Sequence, residues 1–412
     1  MKVFNQCESA KSAQYKLAIA DSCLKNQILK EIAQKVLSST EDILKANEID
    51  LKNATNIPSS MLDRLRLNEE RIKKMAEGVE ALISLPDPVG RVLSEHTQKD
   101  GLLIKKVSVP IGVIGVIYEA RPNVTIDVAA LCIKSGNSVV LRGGKDAINS
   151  NRALAKAVTD ALEKFDLAGA VQFIDDETRE STAKLLKADK FVDVIIPRGG
   201  EKLKQYVLEN TTIPVISSAG GVCHTYVEKT AKLDMAKEIV KNAKLSRPSV
   251  CNALETLLVD KEIAKEFLPS VLGEMKAEKN VLVYGDKACK EIYPETILID
   301  EDGYYVEHLD YKISVKVVSG LDEVIAHINK YGTHHSDAIV TCDMQKANTF
   351  VQSVDSADVY VNASTRFTDG FEFGLGAEIA ISTQKLHVRG PVGLNELNTY
   401  KNVITGNGQV RK

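Results

Sequence analysis

The chain has 412 residues, of which 44% are hydrophobic and 26% charged, with a formal net charge of −3 at pH 7. This length exceeds what one hydrophobic core supports, so two large domains are expected, and the mild acidity argues against nucleic-acid binding. Seven cysteines without paired short spacings fit neither a disulfide framework nor a zinc site, and favour a reducing cytoplasm. No metal is therefore expected. The longest apolar run, 109–118, is too short to span a bilayer, and the first residues lack a signal core, so no membrane partner is expected.

The first 85 residues are rich in Lys, Glu, Leu and Ala at helical spacing, as in Ile28, Leu29, Ile32 and Val36. This pattern predicts several amphipathic helices. From Gly112 onward, strand-like runs alternate with helix-like ones. The predicted strands are 113–118, 138–141, 171–174, 192–196 and 214–217, and then 254–259, 281–284, 314–318, 337–341 and 358–361. The alternation predicts an α/β protein with two parallel-sheet domains in series.

Two segments fit neither domain, namely 102–108 and the polar tail 400–412. An exposed hairpin and a C-terminal strand of this kind commonly pair with the sheet edge of a neighbouring subunit. A frayed tail is the alternative interpretation.

Cys251 is the leading candidate nucleophile, because it lies between a proline-bearing turn and a new strand-like run. A rigid loop at a strand can keep a thiol exposed and lower its pKa, although cysteine also serves as a small buried hydrophobe. His334 and His335 are open candidates for a dyad with Cys251, with surface or capping roles as the alternative. The other cysteines are interpreted as packing residues: Cys7, Cys23, Cys132, Cys223, Cys289 and Cys342.

Two loops could bind phosphate groups, although no Gly-x-Gly-x-x-Gly motif follows a strand. One contains Arg198, Gly199 and Gly200 and opens a predicted helix, whose N-terminal N–H groups favour an anion. The other contains Arg142 and Lys145, which suit a phosphorylated ribose at the carboxyl end of a strand. A solvated loop is the alternative there. Asn123, just past another strand, could donate to an oxyanion or could cap a helix.

Several motifs together resemble the aldehyde dehydrogenase superfamily, and specifically a branch that reduces an acyl phosphate of glutamate. They run in the family's order from about residue 100 to the end of the chain. They occupy 109–115, 118–125, 141–144, 196–200, 246–252 and 387–394.

The resemblance implies a role for each candidate residue. Cys251 falls on the catalytic thiol, and Asn123 falls on the asparagine that forms the oxyanion hole with the thiol residue's own N–H. The implied NADPH-binding residues are Arg142, Lys145, Arg198, Gly199, Gly200 and Glu307. Arg121, Asn362 and Arg389 are interpreted as partners of the substrate's carboxylate or phosphate, because Arg binds either group in a two-pronged way.

The implied fold has an NADP-binding domain at 1–94 and 113–218 and a catalytic domain at 219–396. The implied oligomerisation hairpin and tail are 95–112 and 397–412. A homo-oligomer is therefore expected, together with transient contact with the glutamate 5-kinase that would supply the substrate.

The resemblance implies NADPH-dependent reduction of L-glutamyl 5-phosphate to L-glutamate 5-semialdehyde through a cysteine thioester, in proline biosynthesis. One departure bears on this expectation. Aldehyde-oxidising relatives carry a glutamate base before a Gly-Gly pair, whereas 217–221 here contain no carboxylate. Without that base, a thioester is kept for hydride rather than hydrolysed. An acylating dehydrogenase that uses coenzyme A and a catalytically idle binding homologue are the alternatives.

Overall fold

The computed structural model describes residues 1–54, 59–119, 121–218 and 220–411. The helices are α1 (Lys2–Ala18), α2 (Ser22–Ser38), α3 (Thr40–Asn53), α4 (Ser59–Leu65), α5 (Glu69–Ala81), α6 (Val124–Lys134), α7 (Ile148–Glu163), α8 (Arg179–Leu185), α9 (Glu201–Asn210), α10 (Leu233–Leu245), α11 (Ala264–Lys279), α12 (Lys287–Ile292), α13 (Leu321–Tyr331) and α14 (Met344–Ser353). The strands are β1 (Val92–Thr97), β2 (Leu103–Pro110), β3 (Val113–Tyr118), β4 (Ser138–Gly143), β5 (Val171–Phe173), β6 (Val194–Arg198), β7 (Cys223–Val227), β8 (Leu254–Asp260), β9 (Leu282–Gly285), β10 (Ile297–Leu298), β11 (Lys312–Val318), β12 (Ser336–Val340), β13 (Asp358–Val361), β14 (Ile381–Ser382), β15 (Gly390–Pro391) and β16 (Asn398–Thr405).

The chain divides into two compact units. The first contains Met1–Ser218, Gly374–Ala380 and Pro391–Lys412, and the second contains Ala219–Phe373 and Ile381–Gly390. Segments 374–380 and 391–396, which the sequence assigned to the catalytic domain, thus pack with the first unit. The two segments pair with each other, since Ile379 N donates to Val392 O (2.9 Å) and Val392 N donates to Ala380 O (2.8 Å). Gly376 packs against Leu82 and Leu85 of the first unit, where a Cβ on the glycine would stand 3.1 Å and 2.7 Å from those side chains.

The first unit is built on a parallel sheet of order β5-β4-β3-β6. Every residue of β3 is buried, as expected for a parallel strand covered on both faces. Helix α1 supplies Val3 and Cys7 to the core beside Val113 and Ile117. The strand order reverses between β3 and β6, and this is the place where an open α/β sheet binds ligands.

The second unit is built on a seven-stranded sheet of order β10-β9-β11-β8-β7-β12-β13, in which the neighbouring strands run parallel. Its core lies between the sheet and helices such as α10 and α11. The two α/β domains predicted from the sequence are thereby confirmed. The observed strands overlap every predicted one except 214–217, where Val215 forms only an isolated bridge with Ile195.

A third, antiparallel sheet has the order β1-β2-β16 and belongs to the first unit. Strand β16 pairs with β2 along its whole length, from Asn398 opposite Pro110 to Thr405 opposite Leu103. The frayed-tail alternative is therefore wrong for 398–405. Strand β1 is exposed throughout and leaves Val92 and Leu93 about half exposed (52% and 49%) at the sheet edge.

Among the described residues, no helix combines the length and the apolar character needed to cross a bilayer.

Candidate active site

Cys251 lies in the turn formed by 246–252, hereafter the Cys251 turn, which connects the end of α10 to the start of β8. Ala253 N donates to Val250 O (3.0 Å) and closes the turn just before the strand. The Cys251 side chain is partly buried. The prediction that this cysteine stands at a turn before a strand is confirmed.

Asn252 anchors the Cys251 turn to the segment 364–368. Its Nδ2 donates to Thr368 O (2.8 Å), its backbone O accepts from Thr365 Oγ1 (2.7 Å), and its Oδ1 accepts from Arg366 Nη1. Both the side chain and the backbone of the residue next to Cys251 are therefore held. Such multiple anchoring keeps a reactive side chain in one orientation.

Two other residues hold the Cys251 backbone from β7 and the segment before it. Cys223 Sγ donates to Cys251 O (3.1 Å). A Cβ added at Gly221 would stand 1.5 Å from the same oxygen, so the close approach requires glycine. The glycines of 217–221 thus have a packing role beside the candidate nucleophile. Residue 219 lies outside the described residues.

Glu307 is joined to this arrangement through Gly221. Its Oε1 accepts from Gly221 N (2.6 Å), and its carboxylate also lies against Gly220. Glu307, predicted to bind the nicotinamide ribose, is therefore brought close to the backbone that packs on Cys251.

A buried ion pair holds the loop that carries Glu307. Glu255 accepts from the backbone N of His308 and of Leu309 (3.2 Å each) and pairs with Lys244 Nζ (3.0 Å). Both side chains of the pair are inaccessible to solvent. Burial raises the pKa of Glu255 to about 7, although Lys244 opposes the rise, and burial lowers the pKa of Lys244. Nothing in the sequence pattern signalled this pair.

The cysteines fall into distinct environments. Cys7, Cys132, Cys223 and Cys289 are buried, and burial raises the pKa of each thiol, so the packing interpretation is confirmed for these four. It is wrong for Cys23 and Cys342, which are exposed. Amphipathic spacing did not predict which face of the helix Cys23 would occupy.

The adjacent histidines point to different partners, as expected. His335 is buried, and its Nδ1 contacts Ser336 Oγ (2.8 Å) and Cys223 Sγ (3.8 Å). His334 has a φ of 60°, and its Nδ1 contacts Asp355 O (2.5 Å). The dyad with Cys251 stays a hypothesis.

In the first unit, Asn123 occupies the N-cap position of α6 without making a side-chain cap hydrogen bond. Its Nδ2 donates instead to Asp127 Oδ2 (2.8 Å). Burial raises the pKa of Asp127 to about 6, while Asn123 and Arg198 oppose the rise. Asn123 thus stands at the cap position but does not cap the helix through its side chain, and Asp127 fixes the orientation of its amide.

Arg142 lies near the end of β4 and its guanidinium is oriented by backbone oxygens. Nη1 donates to Gly143 O (2.9 Å), and Nη2 donates to Glu177 O (3.1 Å) and Thr178 O (3.3 Å). Burial lowers the pKa of Arg142. Lys145 follows on the same loop and is exposed. Both cations stand at the carboxyl end of a parallel strand, as the sequence predicted.

The loop Arg198–Gly200 joins β6 to α9, with Gly200 at the N-cap. Gly200 N donates to Glu119 Oε2 (3.0 Å), and Glu119 N donates to Arg198 O (3.1 Å). A carboxylate thus stands at the helix N-terminus, which shows that this backbone accepts an anion. The arrangement fits a cofactor phosphate in place of Glu119.

The predicted substrate residues lie on separate elements, Arg121 in the first unit and Asn362 and Arg389 in the second. Arg389, in the second unit, donates from Nη1 to Asp355 Oδ1 (2.9 Å) and from Nη2 to Asp355 O (2.7 Å). Lys385 and Arg389 together lower the pKa of Asp355 to about 2. Arg121 follows β3 in the first unit, where its backbone N donates to Glu119 O (2.7 Å).

Asn362 follows the carboxyl end of β13, whereas Cys251 precedes the amino end of β8 in the same parallel sheet. Its Oδ1 accepts from Thr341 N (2.9 Å) and its Nδ2 donates to Thr341 O (3.0 Å). The amide therefore links the carboxyl ends of β12 and β13, whereas Cys251 lies at the amino ends of the strands.

Comparison with known proteins identifies the class. Residues 2–287 match the model of the "Aldehyde dehydrogenase family", and the chain belongs to that family. The structure also resembles that of the glyceraldehyde-3-phosphate dehydrogenase of Methanocaldococcus jannaschii, solved with NADP, with a TM-score of 0.69 and 17% sequence identity. The match covers 98% of this chain and 94% of that one and shows a shared fold.

More similar relatives place the chain within the family. It is 51% identical over 407 residues to the γ-glutamyl phosphate reductase of Clostridium beijerinckii, and the matched region covers 98% of each chain. It is 44% identical to the crystal structure of the γ-glutamyl phosphate reductase of Thermotoga maritima, with a TM-score of 0.97 and full coverage of both chains.

Proposed function

We propose that this protein reduces L-glutamyl 5-phosphate to L-glutamate 5-semialdehyde with NADPH and releases phosphate, as a step of proline biosynthesis. The carrying observation is the 51% identity, over nearly the whole chain, to a γ-glutamyl phosphate reductase. The partly buried Cys251, held in a turn anchored from several sides, supports a nucleophile at the position that the family resemblance implies.

The first chemical step uses the Cys251 thiolate. Its Sγ forms a bond to the acyl carbon, the bond from that carbon to the phosphate oxygen breaks, and phosphate leaves with the electron pair. Covalent catalysis divides one difficult substitution into two easier ones. The hydrogen bonds of Asn252 and of the Cys251 carbonyl restrain the turn. Little conformational entropy is therefore lost when the thiol takes up its reactive position.

For the oxyanion of the tetrahedral state we propose two N–H donors, Asn123 Nδ2 and the backbone N–H of Cys251. An amide nitrogen carries two hydrogens, and Asp127 accepts one of those of Asn123. The second is the one assigned to the oxyanion. Preoriented donors of this kind contribute about 10²–10³-fold each.

Arg142, Lys145, Arg198, Gly199, Gly200 and Glu307 are proposed to hold NADPH, which when bound supplies the hydride that converts the thioester to the aldehyde. Arg142 presents a guanidinium whose direction is set by three carbonyl oxygens. Residues 217–221 contain no carboxylate that could activate water, which favours retention of the thioester until reduction.

Arg121 and Arg389 are kept as proposed partners of the substrate's anionic groups. Asn362 is the weakest of the proposed substrate residues, because Thr341 occupies both ends of its amide. A homo-oligomer that pairs the edges of the β1-β2-β16 sheet, and transient contact with glutamate 5-kinase, remain predictions. The exposed edge strand β1 supports the first of them.

The function is tested in reverse, because the acyl phosphate is labile. Glutamate 5-semialdehyde and NADP⁺ are supplied with and without inorganic phosphate, and the formation of NADPH is followed for wild type and Cys251→Ala. We expect formation only with phosphate, and a loss of at least about 10⁴-fold in the variant. Cys289→Ala, which removes another buried thiol on α12, is the matched control and should retain activity. Phosphate-independent oxidation, or an active Cys251→Ala, would contradict the proposal.

The cofactor preference is tested by Arg142→Glu. We expect the KM for NADPH to rise much more than the KM for NADH, because a carboxylate would repel the 2′-phosphate. Arg152→Glu, on α7 where Arg152 pairs with Asp175, is the control for a nearby charge reversal. Equal changes for both cofactors would remove Arg142 from the 2′-phosphate site.

A further inference from the structure

Two arginines of the second unit lie in or against the Cys251 turn, and neither is assigned above to the substrate or the cofactor. Arg247 belongs to the turn itself, directly after Ser246. Arg366 donates from Nε to Ser246 Oγ (3.2 Å) and from Nη1 to Asn252 Oδ1. The Arg366 guanidinium therefore spans the turn from the residue before Arg247 to the residue after Cys251.

These two positive charges are not neutralised. Over the described ranges, neither arginine takes part in an ion pair. Burial lowers the pKa of Arg366 and the charge of Arg247 lowers it further, whereas Asp369 and Cys251 act in the opposite direction. Two mutually repelling cations beside one thiol are unfavourable until an anion joins them.

The helix before the turn does not favour an anion. Helix α10 ends at Leu245, just before the turn, and a helix C-terminus carries a partial negative charge. The helix therefore offers no attraction for the phosphate, whereas the two arginine side chains do. Arg366 uses two of its five N–H donors on Ser246 and Asn252, and in the part of the chain that the structure describes no partner is recorded for its Nη2.

We propose that Arg247 and Arg366 form the seat for the phosphate of the acyl phosphate substrate; the inference rests on the function proposed above. The substrate has two anionic ends, and its phosphate is bonded to the very carbon that Cys251 attacks. Its α-carboxylate lies three carbons further away. Cations beside the nucleophile are therefore placed to bind the phosphate end of the substrate. Arginine binds phosphate through paired N–H donors.

The two arginines contribute while the acyl group is transferred from the phosphate oxygen to the sulfur of Cys251. As the Cys251 Sγ bond forms and the phosphate oxygen departs with the electron pair, negative charge grows on that oxygen. Arg247 and Arg366 would stabilise this charge, and in the reverse direction they would hold inorganic phosphate for attack on the thioester.

The kinetic test uses the reverse reaction with Arg247→Gln, which alters an exposed side chain and should leave the fold intact. We expect its KM for inorganic phosphate to rise about 10- to 100-fold, with the KM for NADP⁺ unchanged. Arg366→Lys keeps the charge but cannot span Ser246 and Asn252, so a smaller rise is expected. The control is Lys265→Gln on α11, which also removes one exposed positive charge but lies beyond the far end of β8. An unchanged phosphate KM in both arginine variants would overturn the inference.

A second readout needs no turnover. In a Cys23→Ser/Cys342→Ser background, which removes the two exposed thiols, inorganic phosphate should protect Cys251 from iodoacetamide, with chloride at equal ionic strength as the control. Arg247→Gln should require about tenfold more phosphate for half-protection. Equal protection in the variant and the wild type would contradict the proposed phosphate site. Wild-type oxidation without phosphate would instead overturn the proposed reaction, so the two failures are distinguishable.

Discussion

The two units place their candidate functional groups at opposite ends of their strands. In the first unit, Asn123, Arg142 and the Arg198–Gly200 loop lie at or beyond the carboxyl ends of β3, β4 and β6. In the second, Cys251 and Glu307 precede the amino ends of β8 and β11. The rule that ligands bind at carboxyl ends thus locates the first set of groups and misses the second.

In the second sheet, a polar network joins groups at the carboxyl ends of β7, β12 and β13. Glu228, just past β7, pairs with Lys346 and accepts hydrogen bonds from Thr230 and Thr341. Burial alone would raise the pKa of Glu228, but these bonds lower it to about 2. The same network includes Asn362 through Thr341. The Glu228 carboxylate is thus fully bonded within the protein.

The difference determines how each region attracts anions. In the first unit the N-termini of α6 and α9 offer backbone N–H groups to an anion, in addition to the nearby side chains of Arg142 and Arg198. The Cys251 turn follows the C-terminus of α10, so it depends on buried side-chain contacts and on arginines. The amino-end site should therefore be far more sensitive to substitution than the carboxyl-end loops.

The largest expected effect is on stability and concerns the buried pair behind Glu307. Lys244→Met leaves Glu255 buried without its partner, so the free energy of unfolding in urea should fall by about 3–5 kcal/mol. Lys241→Met, on the same helix but paired with the exposed carboxylates Glu274 and Glu278, should lose no more than about 1 kcal/mol. Equal losses in the two variants would show that breaking the buried pair costs no more than breaking an exposed one.

The next effect compares one glycine from each region. Gly221→Ala would place a Cβ on the Cys251 carbonyl oxygen and displace the nucleophile, so kcat should fall at least about a hundredfold. Gly200 has a φ of −69° and open space around its missing Cβ, so Gly200→Ala should change kcat and the cofactor KM little. Steady-state kinetics on both variants measures the contrast. A mild Gly221→Ala would contradict the close packing.

The smallest effect is a pH dependence from Asp358, at the amino end of β13. Burial raises its pKa to about 6, while His335 and Arg389 oppose the rise. Because the folded pKa lies above the unfolded value, the stability that this group contributes at low pH is lost as the pH rises from about 4 to 6. Asp358→Asn should therefore be more stable than wild type at pH 7 by up to about 2 kcal/mol, with no gain near pH 4.

Urea unfolding across this pH range, with the exposed Asp302→Asn as control, measures the effect of Asp358. A stability difference that does not change with pH would show that the Asp358 carboxyl is not the titrating group.

Much of the fold could be predicted because apolar runs repeat with regular spacing. The β3 run at 113–118 was predicted with its observed bounds. Strand β7 was missed, although it is central to the second sheet. Its sequence, Cys-His-Thr-Tyr-Val, has no apolar run, and His224 is accommodated only because Asp337 from β12 accepts from its Nδ1 (2.8 Å).

The site residues show the same division. Motif order singled out Cys251, Asn123 and Arg142 as candidates, because they lie in turns beside strands or near a strand end, and the family resemblance added Glu307. The sequence could not predict Glu255, Arg366 or Cys223, since each acts through a partner far away in the chain. Asn362 was proposed from its motif position, yet its amide is occupied by Thr341.

By itself, then, the sequence determined the two α/β domains, because hydrophobic period is a local property, and its motifs were enough to indicate the family and a candidate nucleophile. Only the tertiary structure decided which end of each sheet carries the functional groups and what holds them in place. Those features depend on contacts between residues distant in sequence, such as Asn252 with Thr368 and Glu255 with His308. Burial, which sets the pKa of groups such as Asp358, likewise arises only when the strands and helices pack together.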